Sequence, residues 1–146
     1  MQKTFNVLVV DDDEDDQYLI KLAFQKDSIQ YNLQFATDGS DVLENIESPQ
    51  FLPDLILLDL NMPVINGFEV IKHLKESPIY RHIPVVVLTT STSEADINRA
   101  YELGVNTFVT KPANHQDLIN LAEQIRLYWF TLAKIPTRRT NHTKGA

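Results

Sequence analysis

The chain of 146 residues is 43% hydrophobic and 23% charged, with 20 Asp and Glu against 13 Lys and Arg and a net charge of −7, which suits one globular domain of about 100–150 residues. The acidic balance argues against a broad nucleic-acid-binding surface, which needs a basic patch, and the absence of cysteine rules out disulfides and thiolate metal sites. No apolar run approaches the roughly 20 residues of a membrane span and the N-terminus lacks the sections of a signal peptide, so a cytoplasmic protein is expected.

Apolar runs and amphipathic stretches alternate along the chain. Residues 5–10 read as a strand apolar on both faces, followed by a helix over 15–26 with Leu19, Leu22 and Ala23 at helical spacing. Residues 32–36 alternate like a strand, and the turn chemistry of 37–41 leads into a short helix with Val42, Leu43 and Ile46 on one face. A third strand, "PDLILLDL", is bounded by Pro53 and Pro63, and a helix after Asn66 and Gly67 stops near Pro78. "IPVVVLTT" is a fourth buried strand. In "TSEADINRAYELG", Ser93 and Asp96 resemble a capping box and Gly104 supplies a C-cap. Residues 106–110 give a fifth strand and 117–132 a final helix. Continuous apolar strands separated by helices predict a parallel sheet covered on both faces, a doubly wound α/β domain.

In such a sheet ligands bind beyond the carboxyl ends of the strands. The residues there are Asp11 and Asp12 after the first strand, Asp59 and then Asn61 after the third, Thr89 and Thr90 at the fourth, and Lys111 before Pro112 after the fifth. Three carboxylates brought together call for a hard divalent cation, and Mg²⁺ favours a few carboxylates plus waters and a phosphate. A carboxylate such as Asp59 is ionised at neutral pH and can attack phosphorus. The acyl phosphate so formed needs positive counter-charge, which Mg²⁺ and an ammonium such as Lys111 supply. The acidic block 11–16 therefore divides: Asp11 and Asp12 as metal ligands, and Asp13, Glu14, Asp15 and Asp16 as the start of the first helix, where negative charge meets the positive helix end.

"VVDD" (9–12), "LLDLNMPVINGFEV" (57–70), "VVVLTTS" (85–91) and "FVTKP" (108–112), in this order and spacing, resemble the receiver domain of two-component response regulators over about residues 4–130. The resemblance implies a flavodoxin-like (βα)5 domain with strand order 2-1-3-4-5. It implies that Asp59 accepts a phosphoryl group from a sensor histidine kinase, and that Asp11, Asp12, Asp59 and the backbone carbonyl of Asn61 hold Mg²⁺. Lys111 would pair with the acyl phosphate, the Thr89 hydroxyl would bond to it, and Phe108 would rotate inward behind Thr89 to remodel the face of the fourth helix, fifth strand and fifth helix. Asn61 and Ser91 fall where the family tunes dephosphorylation. Ala113 and Thr90 depart modestly from the family pattern, where an aromatic and a small residue are common.

Residues 131–146 are expected to form a tail with Lys134, Arg138, Arg139 and Lys144, leaving no room for an output domain, so the chain is similar to stand-alone receivers. "LYWFTLAKIP" is similar to the subgroup that partners phytochrome-type histidine kinases. On the last helix Leu118, Leu121, Ala122, Ile125, Tyr128 and Trp129 fit a packed face. Leu127, Phe130 and Leu132 widen the apolar surface, so Leu127, Trp129 and Phe130 become candidates for a homodimer or kinase-docking surface, against a longer core helix. His73, His82, His115 and His142 lack ligand spacing and read as surface residues. An aspartyl-phosphate hydrolase is the competing class, but it needs an acid two residues beyond the nucleophile, where Asn61 stands. A silent interaction module would be expected to lack Asp59, Asp12 or Lys111, and all three are present.

Overall fold

The two central runs bury completely. β3 (Leu55–Leu58) and β4 (Val85–Thr89) are buried at every position, and β1 (Thr4–Val10) from Asn6 onward. Such runs are sustained only where helices cover both faces of a parallel sheet. The computed structural model describes residues 4–26, 28–47 and 50–136. β2 (Gln30–Ala36) lies at one edge and alternates between exposed and half-buried positions before it ends on buried Ala36, while β5 (Thr107–Thr110) forms the other edge. The strand order is β2-β1-β3-β4-β5, and every pair is parallel.

The strand period of two sorts the core into two layers. Leu8, Val10, Ile56, Leu58, Val85 and Val87 point to one side. There they meet α2 (Gly39–Glu47), α3 (Gly67–Glu76) and α4 (Glu94–Leu103) through Val42, Val70, Ile71, Leu74 and Ala100. Val7, Val9, Leu55, Leu57, Val86 and Leu88 point to the other, against α1 (Glu14–Ala23) and α5 (His115–Leu127). The connection β1–α1–β2 builds outward on one side of β1, and β2–α2–β3 returns across to its other side. Strand order therefore switches between β1 and β3, and the carboxyl ends of these two strands are where a sheet of this kind places its ligand site.

Local chemistry sets the helix ends. Asp13 caps α1 by accepting from the N–H groups of Asp15 and Asp16 at 2.9 and 3.1 Å. Ser93 caps α4, but the expected reciprocal half of its box is replaced. The short Asp96 side chain accepts instead from the Ser91 hydroxyl at 2.7 Å. Gly104 ends α4 at φ 105°, where a side chain would be strained. The final helix starts before its predicted residue 117, because Asn114 accepts from the Asp117 N–H and so opens the helix at His115.

Gly67 matters for closeness rather than for φ. A Cβ there would lie 2.6 Å from Leu60 Cα and 2.7 Å from the Asp59 carbonyl oxygen, so α3 begins in direct contact with the segment that carries Asp59. Neither backbone atom can move aside cheaply. Gly67→Ala is expected to lower stability by about 2 kcal/mol, read as an earlier urea midpoint at unchanged m-value.

Beyond Leu127 the backbone passes into a π-helical segment, Tyr128–Leu132, rather than continuing as α-helix. The added residue in the turn re-aims the side chains. Phe130 swings inward, is only 8% exposed, and packs at a tilt against Phe5 and Tyr31 at ring-centroid distances of 4.5 and 5.3 Å. This corrects its assignment to an outward apolar surface: Phe130 is core. Tyr128 is corrected in the opposite sense, since it lies exposed with Leu127 and Leu132, while Trp129 is half-buried edge-on to it. Ordered packing continues past residue 130, with Ile135 against the same core layer. Lys134, His73, His82 and His115 are exposed. Arg138, Arg139, His142 and Lys144 lie outside the described residues. No helix among the described residues is long and apolar enough to cross a membrane.

Candidate phosphoacceptor and cation site

The sheet ladder runs one residue past β1 and β3. The Asp11 N–H donates to the Ala36 carbonyl and the Asp59 N–H to the Val10 carbonyl, each at 2.9 Å. Both side chains therefore emerge at the crest of the sheet, on either side of the switch point. One carboxylate oxygen each from Asp11, Asp12 and Asp59 lie within 4.8 Å of one another. Asp11 and Asp59 are buried and Asp12 is exposed, which leaves one open side. Oxygens at this separation from three acids fit a hard divalent cation that keeps part of its water shell.

Lys111 reaches in from the end of β5, its N–H held by the Thr89 carbonyl at 2.7 Å. Its Nζ lies 2.7 Å from Asp11 Oδ2, 2.7 Å from Asp16 Oδ2 and 3.2 Å from Asp59 Oδ2. Asp59 Oδ1 accepts from the Asn61 N–H at 3.1 Å. Thr89 is fully buried, with the Asn61 side-chain amide 3.4 Å from its hydroxyl.

Acid outnumbers base here, and the proton affinities register it. Burial pushes the Asp11 carboxyl up to about 6; the Lys111 ammonium and the Asp13 N–H oppose this, and the Asp59 charge adds to it. For Lys111, burial works against the ammonium, but hydrogen bonds to Asp11 and Asp16 and the Asp11 and Asp59 charges outweigh it and raise its pKa. One ammonium does not balance the carboxylates around it, so the pocket favours a further cation.

A pH dependence follows. The folded-state value of Asp11 lies above its unfolded value of 3.8. Its contribution to the stability of the metal-free fold is fully present below that unfolded value and is lost as pH rises through about 6. A divalent cation must displace this proton. Calorimetric titration is expected to show Mg²⁺ affinity falling about tenfold per pH unit below about pH 6 and levelling above it.

The structure thus brings together Asp11, Asp12, Asp59 and Lys111, with exposed Asn61 and buried Thr89 beside them. Phe108 is half-buried against the α2–α3–α4 layer, and its N–H donates to the Tyr101 hydroxyl at 3.1 Å. The Ser91 hydroxyl is not turned to Asp59; it is engaged by Asp96 and by the Ser93 N–H at the start of α4. Thr90 and Ala113 are exposed. Asp16 is a direct partner of Lys111 and not only one more acid at the helix start. Its signal was periodicity: residues 16, 19, 20 and 23 share one helical face, and Leu19, Ile20 and Ala23 are the buried residues of α1.

The sequence profile described as "Response regulator receiver domain" matches residues 7–123. The chain is 36% identical over 137 residues to the response regulator Rcp1 of Synechocystis sp., covering 89% of this chain and 92% of Rcp1. It is 37% identical over 136 residues to the probable methanogenesis regulatory protein FilR2 of Methanothrix harundinacea, covering 90% and 88% of the two chains. Among solved structures, the phosphorylated cyanobacterial phytochrome response regulator RcpA superposes with a TM-score of 0.90 at 34% identity, over 92% of this chain and all of that one. The Mn²⁺-bound form of Rcp1 superposes with a TM-score of 0.83 at 36% identity, over 91% and 99%. With the strand order, the acids at the switch point and the lysine beside them in agreement, the chain belongs to the response regulator receiver domain family.

Proposed function

We propose that the chain is a phosphorylation-controlled switch in which Asp59 takes the phosphoryl group from a sensor histidine kinase. One Asp59 carboxylate oxygen attacks phosphorus, the P–N bond to the kinase imidazole breaks, and the imidazole leaves with the bonding pair and takes up a proton. The observation that carries this reading is the pairing of the buried Asp59 carboxylate with Lys111 at 3.2 Å inside a three-acid cluster. Asp11, Asp12, Asp59 and the Asn61 carbonyl would hold Mg²⁺, which offsets charge on the phosphoryl oxygens. Lys111 stabilises the acyl phosphate, Thr89 supplies a hydroxyl to it, and Phe108 on β5 passes the change to the α4–β5–α5 face. Asn61 sets the lifetime of the phosphate, and Ser91 contributes to it once its hydroxyl leaves Asp96.

The likeness to Rcp1 and RcpA supports a phytochrome-type kinase as the donor. The exposed Leu127, Tyr128 and Leu132, with Trp129 beside them, support a surface for a second copy or a kinase. A net charge of −7 favours protein partners over nucleic acid. The chain catalyses its own phosphotransfer and dephosphorylation in the cytoplasm and turns over no small molecule.

The test offers the protein a small acyl phosphate and, separately, a phosphorylated histidine kinase of broad specificity, each with Mg²⁺ or EDTA. Intact-mass measurement is expected to show one added phosphoryl group, absent with EDTA. No addition from either donor would overturn the reading.

A further inference from the structure

Asp16 stands outside the three acids whose oxygens converge, and nothing in the phosphotransfer scheme uses it. Its Oδ2 is nonetheless as close to Lys111 Nζ as Asp11 is, at 2.7 Å, and closer than Asp59 at 3.2 Å. We propose that Asp16 is a positioning residue for Lys111, an anchor on α1 that keeps the ammonium beside Asp59 while its other two partners change; this rests on the phosphoacceptor reading above.

An ammonium has three N–H donors, and here three carboxylates surround it. It is also a compact charge on a flexible four-carbon stem, so its place is set by its partners. During phosphotransfer two of those partners take on other work. Asp11 turns its charge to the cation, and Asp59 becomes an acyl phosphate. Asp16 alone does neither, so the Asp16–Lys111 pair persists through both changes.

Asp16 is well placed for this. Its N–H is tied to the Asp13 cap at 3.1 Å, and its helical face is pinned to the sheet by Leu19, Ile20 and Ala23. Its side chain is 19% exposed. Glu14 and Asp15, which share the first turn, face solvent. Serving the helix end requires nothing more than they do, and Asp16 does more. A rival role would have Asp16 drain charge from Lys111 and so weaken its hold on the phosphoryl group. The two roles predict opposite changes in rate.

The experiment uses the full chain as wild type, Asp16→Asn, Asp16→Glu, Lys111→Ala and the Asp16→Asn/Lys111→Ala double variant. Two quantities are read at Mg²⁺ levels raised until each variant's labelling rate is constant. One is the ¹⁵N ammonium resonance of Lys111, assigned by its loss in Lys111→Ala. The other is the initial rate of labelling by a small acyl phosphate. Asp16→Asn is expected to lose the ordered resonance and to label about tenfold more slowly, the scale of one hydrogen bond between charged groups. Asp16→Glu is expected to recover most of both. In the Lys111→Ala background Asp16→Asn is expected to change the residual rate less than about twofold, since pairs that act through each other are not additive.

An unchanged rate, a faster rate, or a tenfold loss that persists without Lys111 would each overturn the anchor. Failure of the wild type to take any phosphoryl group would overturn the phosphoacceptor reading alone. The ammonium resonance would still decide whether Asp16 holds Lys111.

Discussion

Asp59→Asn is expected to reduce labelling by both donors to background, a loss of at least ~10³-fold, because the amide presents no nucleophilic carboxylate to phosphorus. The same substitution should not harm the fold. Asn matches Asp in shape, its oxygen can still accept from the Asn61 N–H, and Lys111 keeps Asp11 and Asp16. Removing one charge from a pocket with excess acid also relieves Asp11, whose carboxyl the Asp59 charge helps push up. The metal-free variant should therefore melt higher than wild type, by about 2–4 °C for ~1 kcal/mol. Lost labelling with a raised melting temperature separates chemistry from folding. Labelling that survived would move the acceptor to another acid of the cluster, Asp11 or Asp12.

Lys111→Met is expected to have the largest effect on stability. It keeps most of the apolar stem and removes the one positive group that Asp11, Asp16 and Asp59 share. Taking one partner from a buried ion pair commonly costs about 3–5 kcal/mol, since the remaining charge is left uncompensated. In EDTA at pH 7.5 the melting temperature should fall by about 10 °C. Two conditions should reverse much of that loss. Mg²⁺ supplies the missing charge directly. Acid works through Asp11: without the ammonium its carboxyl rises above about 6, is protonated in the folded state by pH 5, and needs no counter-ion. A loss equal at pH 5 and pH 7.5, and indifferent to Mg²⁺, would mean that Lys111 stabilises by packing alone.

Much of this was legible in the sequence, for identifiable reasons. Runs such as "LILL" and "VVVL" are too apolar and too short for anything but central strands, and polar residues of complementary type at four strand ends had to meet once the sheet was parallel. The role of Asp16 is hidden because first-turn acids have a ready explanation in the helix dipole. Only the face shared with Leu19, Ile20 and Ala23 distinguishes it from Glu14 and Asp15. The burial of Phe130 is not legible because α-helical spacing fails over residues that adopt the wider π turn, and a change of pitch leaves no mark in a hydrophobic pattern. For Ser91 the sequence offers only its place two residues beyond Thr89. Its hydroxyl finds a nearer acceptor in Asp96, a local competition that spacing alone does not reveal.

The inward turn of Phe130 also determines where this molecule can be cut. The family profile ends at residue 123, yet the aromatic group formed by Phe5, Phe24, Tyr31 and Phe130 joins the first strand to residues well beyond that point. A fragment ending at Leu127 would retain every acid and the lysine of the site while uncovering three rings beside the open edge at β2. Bare rings next to an open strand edge invite self-association. Such a fragment would be expected to precipitate for reasons unrelated to its chemistry. Any fusion or truncation that borrows this switch should therefore carry the chain at least through Ile135.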